Sequence, residues 1–386
     1  MRHYPELASY NNCTGCMACI DACNHDVLKL AVDDDGYYKI DINSDKCIGC
    51  NLCSMSCPII SPIELPNNEM TKIFASWSMD SDLRQQSASG GIFASLASLI
   101  LNRGGVVYGA AIDKFDVKHK RIETLHELFQ LQGSKYQHSI MTGIYRHVRK
   151  DLVNGREVLF SGLPCEISGL KKFLRNINQE KLITVDMICG GVSTLLPMIN
   201  LKLTHNYTGI ISFRDKDNGW KPLGFKYNLK MMRTDGKIEN LGSENMVLSA
   251  FSSKILKRAS CCNCKFTGLK RNSDITIGDF WGEKKYSHQH NAGVSALLIH
   301  SDKGYKYIQD SKVHIEPAAI EEISVHNPNL ISTSYPLIPC LHYRKKVLEY
   351  LKNNNVEKAR DLLRMNGIIG YMIRLYLKIV HIYHSN

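Results

Sequence analysis

Eight of the fourteen cysteines fall into two copies of one spacing. Cys13-x2-Cys16-x2-Cys19-x3-Cys23 is followed by Cys47-x2-Cys50-x2-Cys53-x3-Cys57, with Pro58 directly behind the second run. Thiolates at this spacing hold 4Fe-4S clusters, and the fourth cysteine of each run ligates the other cluster. The predicted sets are therefore Cys13, Cys16, Cys19 and Cys57 for one cluster, and Cys47, Cys50, Cys53 and Cys23 for the other. Gly15 and Gly49 suit the tight loops, because glycine carries no side chain to meet a cluster and tolerates positive φ. The competing readings are a disulfide framework and zinc knuckles, but paired C-x2-C zinc units leave the third cysteine of each run without a place. One departure stands out. The first run ends Cys23-Asn24-His25, where the pattern expects proline after the cysteine.

Six cysteines remain, and four of them lie in loops: Cys165 in Gly162-Leu163-Pro164-Cys165, Cys189 in Ile188-Cys189-Gly190-Gly191, and Cys261-x2-Cys264. They make a third set of four, with Cys262 and Cys340 left over. Four thiolates of this kind hold either zinc or a third 4Fe-4S cluster, and spacing does not separate the two. The first module tips the balance toward iron.

These sites need scaffolds. A chain of 386 residues with 44% hydrophobic and 22% charged residues makes two or three ordinary globular domains. No apolar leader precedes the first cysteine run, so free thiols in a reducing compartment are expected, the cytoplasm by default. Residues 1–60 carry four basic residues (Arg2, Lys29, Lys39, Lys46) against eight acidic ones, while the whole chain is at +11. An acidic cluster module therefore sits on a basic body. Such a body attracts phosphate-bearing cofactors or an acidic electron-carrier protein. No nucleic-acid motif accompanies the charge, so nucleic acid is not an expected partner.

The expected fold is α+β to α/β. A ferredoxin-like module with two clusters covers residues 1–65, framed by strands at Val27-Leu28-Lys29-Leu30 and Tyr38-Lys39-Ile40, and Ile59 to Asn68 is a Pro/Asn-rich linker. A mixed-sheet α/β body follows, with one region over 75–160 and a second, holding the third thiol set, over 161–325. Strands at 105–112, 157–161 and 181–188 alternate with helices at 140–153 and 164–174, a hairpin is expected around Asp235-Gly236, 274–282 is a strand running into a tight turn, and cofactors belong in the loops at strand ends. Ser87 to Leu96 is a small-residue entry into a helix, which suits either an anion such as a cofactor phosphate or a plain helix cap. Residues 326–386 are a basic helical tail with helices at Leu341–Asn353, Val356–Met365 and Ile368–His384. The last holds Arg374 and Lys378, too charged for its length to span a membrane comfortably. Docking on the body or on a second subunit in a homo-oligomer is the expected role, and contact with a membrane surface the alternative.

Ser89-Gly90-Gly91, Gln132-Gly133-Ser134-Lys135-Tyr136, Gly162 to Cys165, Phe213-Arg214-Asp215-Lys216 with Gly219-Trp220, Cys261-x2-Cys264 and Ile277-Gly278-Asp279-Phe280-Trp281-Gly282 occur in this order. In that order they resemble the coenzyme F420 hydrogenase/dehydrogenase beta-subunit family, over about residues 75 to 325. The resemblance implies an iron–sulfur flavoprotein in which FAD lies beside a 4Fe-4S cluster. Carried onto this chain, Ser89, Gly90, Gly91, Gln132, Gly133, Ser134, Lys135 and Tyr136 match positions near the flavin. Cys165, Cys189, Cys261 and Cys264 match the neighbouring cluster. Cys189-Gly190-Gly191 departs from the Cys-His-Gly common in the family, which bears on substrate chemistry more than on the cluster. Bacterial members that lack F420 are found near surface-polysaccharide genes.

The expected function is an oxidoreductase that relays electrons between a ferredoxin-type donor or acceptor and a small-molecule substrate. Lys135 is the candidate for stabilising charge on reduced flavin or substrate. The alternative is a non-catalytic electron-transfer subunit that feeds a partner enzyme. Cys-x3-Cys-x2-Cys, which a radical SAM enzyme needs, does not occur.

Overall fold

The computed structural model describes residues 4–65, 71–217, 219–220, 228–242, 245–281, 285–286, 292–331 and 338–363, with no side chains described at 338–342. Residues 66–68 of the expected linker, Gly282, the side chain of Cys340 and the helix expected over Ile368–His384 lie outside these residues.

The two cysteine runs adopt one conformation twice. Helices α1 (Ala18–Ala22) and α2 (Leu52–Ser56) each follow a left-handed residue, Met17 (φ 62) and Asn51 (φ 58), and each end on an extended cysteine, Cys23 (φ −82, ψ 118) and Cys57 (φ −80, ψ 118). Gly15 and Gly49 both take positive φ, as the loops require. Strands β1 (Leu28–Val32) and β2 (Tyr38–Ile42) form an antiparallel hairpin. Its turn is closed by the Asp33 carboxylate, which accepts from the backbone N–H groups of Asp35 and Tyr37.

The body is built on one eight-stranded mixed sheet drawing on residues 72 to 317. Its strands are β3 (Lys72–Ser78), β4 (Val106–Asp113), β5 (Asp116–Ile122), β6 (Val158–Ser161), β7 (Leu182–Met187), β11 (Ile275–Asp279), β12 (Ser295–Ile299) and β13 (Val313–Pro317), in the order β13-β3-β12-β11-β7-β6-β4-β5. The four inner strands β11, β7, β6 and β4 run parallel, and the flanking pairs are antiparallel. Between β7 and β11 the chain makes a small antiparallel sheet from β8 (Tyr207–Ser212), β9 (Lys230–Arg233) and β10 (Ile238–Asn240), with the hairpin at Asp235-Gly236 as expected. Strands β3, β5, β12 and β13 carry no cysteine or loop motif, and pattern reading passed over them.

Alternation along the strands supplies two cores. Val106, Tyr108, Val158 and Phe160 face one cluster, while Val107 and Leu159 face the other. Helices α3 (Ser81–Gln86), α4 (Ile92–Asn102) and α10 (Asp302–Asp310) lie toward the second core; α5 (Ile144–Val153) and α6 (Pro164–Phe173) toward the first. Helix α5 starts at Gly143 (φ 83), later than the expected Ile140, because Ile140 instead bridges Lys118 of β5. The first core also contains Cys16, Met17, Ala18 and Tyr38, so the cysteine module and the body share apolar packing.

Helices α7 (Leu196–Leu203), α8 (Met246–Ser252), α9 (Ala259–Cys262) and α11 (Ile320–Ser324) complete the body. The tail helices α12 (Ile338–Lys352) and α13 (Val356–Leu363) dock on it, with Val347, Leu348, Leu351, Ala359 and Leu363 packed against Leu196, Met246 and Leu256. Among the described residues no helix is long and apolar enough to cross a membrane.

Candidate metal centres and cofactor loops

Cys23, Cys47, Cys50 and Cys53 line one cavity of about 370 Å³, together with Pro5, His25, Ile48, Gly49 and Asn51. Cys23 of the first run therefore lies with three cysteines of the second, the grouping that an exchange of fourth ligands needs. Cys57 lies correspondingly near the first run, within electrostatic reach of Cys16 and Cys19. Burial pushes the Cys16 thiol up to about 12, with Cys13 and Cys57 adding to the shift. Burial raises Cys19 well above the usual thiol value, and its neighbours Cys16, Cys13 and Cys57 raise it further. Thiols crowded in this way ionise only around a cationic centre, so the donor sets fit a thiolate-bound metal or cluster. Cys50 is exposed, whereas Cys16 is buried on the body side.

The third set is also brought together. Cys165, Cys189, Cys261 and Cys264 line one cavity of about 520 Å³ of partly open space, with Thr14, Arg271 and Asn329 on its wall. Cys165 stands in the first turn of α6, just beyond β6, and Cys189 just beyond β7, and these strands are parallel neighbours. Their carboxyl ends therefore deliver both thiols to one edge of the sheet. A bridge between Ser193 and Lys257 and the Arg258 N–H donated to Val192 O then lay the Cys261 segment beside the Cys189 loop. Burial raises Cys165 well above the usual thiol value, and Cys189 to about 12, with the neighbouring thiols adding to both. Backbone N–H groups of Gly191 and Phe266 donate to the sulfurs of Cys189 (3.3 Å) and Cys264 (3.4 Å). Among the described residues no three His, Cys, Asp or Glu side chains converge on a single metal ion. The thiols ring a space instead of closing on a point. Cys262 turns away, its sulfur 3.6 Å from Arg258 O.

The inner ferredoxin-like set and the third set are neighbours. A Cβ on Gly169 of α6 would stand 3.0 Å from Cys16 Sγ, so glycine there lets the thiol rest on the helix whose first turn holds Cys165. The Tyr145 hydroxyl contacts both Cys16 O (2.9 Å) and Glu166 O (3.0 Å). Arg258 donates through Nε to Cys13 O at 2.6 Å while its own carbonyl accepts from Cys261 N–H. Asp21 receives the N–H groups of Gly143 and Tyr145, pinning α1 to the start of α5. None of Gly169, Tyr145, Arg258 or Asp21 was singled out from sequence. Arg258 alone carried a signal, standing with Lys257 just before a cysteine pair.

The candidate flavin loops meet at the same edge of the sheet. Gly90 is required by packing, since a Cβ would lie 2.5 Å from Ser76 O, and Gly91 (φ 88) caps α4. Ser89 Oγ donates to Val294 O, and Lys216 Nζ donates to the carbonyls of Arg84, Ser89 and Ala292 at 2.6 Å each. Gln132 Nε2 reaches Leu83 O (3.3 Å) and Ser87 Oγ (3.5 Å), joining the second loop to the first. Gly133 (φ 81) faces open space. Ser134 sits between it and Lys135, and Tyr136 packs on Phe213 and Phe251. Lys135 Nζ donates to Gln130 O (3.4 Å) and Gln132 O (2.7 Å), and burial pulls it down to about 7. A half-buried ammonium that no carboxylate offsets among the described residues fits an anionic group. Asp279 accepts from Arg214 (2.9 Å) and Trp220 (3.3 Å), so two further motifs meet as packing.

Residues 155–322 match the family model for the C-terminal part of the beta subunit of coenzyme F420 hydrogenase/dehydrogenase, and residues 8–65 match a 4Fe-4S dicluster domain. Over 55 residues the chain is 34% identical to ketoisovalerate oxidoreductase subunit VorC of Methanothermobacter marburgensis, a stretch that spans 14% of this chain and 70% of that protein. Among solved structures it is similar to a chain of the xenon-derivatised F420-reducing NiFe hydrogenase complex of Methanosarcina barkeri. The overlap covers 72% of this chain and 91% of that one, at 14% identity and a TM-score of 0.45, too loose a likeness to bear on function.

Proposed function

From a chain that belongs to the coenzyme F420 hydrogenase/dehydrogenase beta-subunit family and opens with a 4Fe-4S dicluster domain, we propose an iron–sulfur flavoprotein oxidoreductase with an ordered relay. Cys23, Cys47, Cys50 and Cys53 hold the outer cluster, where a ferredoxin-type partner exchanges electrons. Cys13, Cys16, Cys19 and Cys57 hold the inner one, and Cys165, Cys189, Cys261 and Cys264 hold a third. The observation that carries the order is Cys16 resting on Gly169 of the helix whose first turn holds Cys165, while Cys50 is exposed.

FAD, when bound, converts between single electrons from the clusters and the electron pair of a small-molecule substrate. The N-terminus of α4 behind Ser89-Gly90-Gly91 and the Lys135 ammonium would hold its phosphates or offset charge on it. Gln132 ties the two loops together, and Lys216 fastens the first of them to the Ala292 segment. Iron and flavin analysis of anaerobically purified protein should give about twelve irons and one flavin per chain. Eight irons and no flavin would overturn this reading.

A second reading is that the chain supplies electrons to a partner enzyme without turning over a substrate itself. It is favoured by Ile48 and Met55, 58% and 44% exposed beside the outer thiols, and by a relative whose name is that of a subunit. Stoichiometric co-purification of a partner, with no turnover by the isolated chain, would select it.

A further inference from the structure

The two ends of the relay differ in charge. Around the third set, Lys257 is 6% exposed, and its Cδ and Cε lie 3.0 and 3.3 Å from where a Gly191 Cβ would stand, a position itself 3.1 Å from Cys261 Cβ. Arg258 and Arg271 are each 3% exposed, the first against Cys13 O and the Cys261 turn, the second on the cavity wall. Acidic groups also face this region. Asp186 lies 3.6 Å from Arg271 and partly offsets it, and Glu166 follows Cys165, with burial pushing it up to about 7. Burial and the neighbouring Lys254 lower the Lys257 ammonium, and the thiols Cys189, Cys261 and Cys262 beside it act the other way, favouring its charged form.

Around the outer set, Cys50 is exposed and Lys46 stands in solvent beside Asp45, within a module where acidic residues outnumber basic ones. A cation in a buried site acts through a low effective dielectric, and one in solvent is screened. Adding an electron to a cluster adds negative charge, so a buried cation and N–H donors to the sulfurs raise its potential.

We propose that Lys257, backed by Arg258 and Arg271, makes the site of Cys165, Cys189, Cys261 and Cys264 the highest in reduction potential of the three, so that electrons run inward from the dicluster domain. This rests on the reading that these four thiols hold a 4Fe-4S cluster. In the step concerned, the reduced inner cluster gives one electron to the oxidised third cluster. The first is oxidised and the second reduced by one electron, no bond forms or breaks, and no proton moves. The electron is supplied at the outer cluster by a reduced ferredoxin-type protein. Lys257 is a positioning residue of charge, acting on the cluster and touching no substrate.

The test is a potentiometric titration of the full anaerobically purified chain, followed by electron paramagnetic resonance, with the third signal assigned by its loss in Cys165→Ala. In the unmodified protein that signal should be the first to appear as the potential is lowered. In Lys257→Gln it should move to lower potential by about tenfold in the electron-sharing ratio, which is about 59 mV for one electron, and Lys257→Arg should restore it. The two dicluster signals serve as internal references and should stay in place. A third signal at or below the dicluster potentials in the unmodified protein, or one unmoved in an iron-replete Lys257→Gln chain, overturns the proposal alone. Eight irons in the unmodified chain overturns it together with the reading beneath it.

Discussion

The dicluster domain and the third thiol set hold the same kind of donor by opposite means. In the first, eight cysteines lie within 45 consecutive positions, Cys13 to Cys57, and two left-handed residues and two short helices aim them. In the second, Cys165 and Cys261 are far apart in the chain and meet because β6 and β7 are parallel neighbours and the Cys261 segment is bridged to the loop after β7. A local site tolerates changes in its surroundings. A site assembled at a sheet edge inherits every weakness of the sheet.

The largest expected effect tests whether the two are independent. Cys165→Ala should lower iron from about twelve to about eight atoms per chain while leaving the dicluster signals, and Cys57→Ala should disturb those signals while sparing the third. Loss of all iron in Cys165→Ala would mean that the sites form together.

Acid separates the regions next. His119 is buried and His300 half-buried in the body, and burial lowers both to about 4. Their folded values lie below the unfolded one, so the unfolded chain binds more protons, and stability is lost as pH falls from about 6.5 toward 4. At pH 5 each should cost the body about 2 kcal/mol. The chain's three tryptophans, Trp77, Trp220 and Trp281, all lie in the body, so tryptophan-monitored denaturation at pH 6.5 and pH 5 reads this directly. Glu166, raised to about 7 by burial, gains stability over the same range and offsets part of this loss, so the pH dependence is compared with that of His119→Gln and His300→Gln; a dependence that neither variant alters would show that neither histidine is held neutral.

The joint between the regions comes third. Asp21→Ala removes the acceptor of two buried N–H groups at the start of α5 and should destabilise the holoprotein by about 3 kcal/mol, read by chemical denaturation. A cost near zero would mean that the domain docks without that carboxylate.

The smallest effects compare neighbouring glycines of the third site. Gly190 has room, a Cβ meeting only Asn329 Nδ2 at 3.5 Å, so Gly190→His should change stability by less than about 0.5 kcal/mol. Gly191 takes φ 94 and a Cβ would stand 3.0 Å from Lys257, so Gly191→Ala should cost about 1–3 kcal/mol in thermal or chemical melts. Equal costs would show that the Cys189 loop relaxes freely.

Much of the chemistry was legible in the residues alone. The crossing of Cys23 to the second run followed from spacing, because a three-residue gap carries the fourth thiol beyond its own loop. The third set could be counted, since six cysteines less Cys262 and Cys340 leave four, although only Cys189 and Cys264 lie in loops as expected, while Cys165 and Cys261 lie in the short helices that follow a strand end and the Arg258 turn. Its neighbours could not. Lys216 looked like part of a motif and proved to be a staple between three carbonyls, and Lys135 spends two N–H groups on its own loop. Strands β3 and β12 escaped notice although Gly90 is fastened to both, through Ser78 N–H and Ser295 Oγ.

The sequence by itself determined the two paired cysteine runs and which cysteine of each comes to lie with the other run, because backbone geometry over a few residues suffices to aim a thiol. It also determined that a basic body follows an acidic module. Only the tertiary structure decided that Cys16 lies on the helix of Cys165, that Tyr145 and Arg258 join the two loops, and that Lys257 stands at the third site. Those facts depend on which strands pair in parallel and which helix face carries a glycine, and such contacts between residues distant in the chain leave no periodic trace in it.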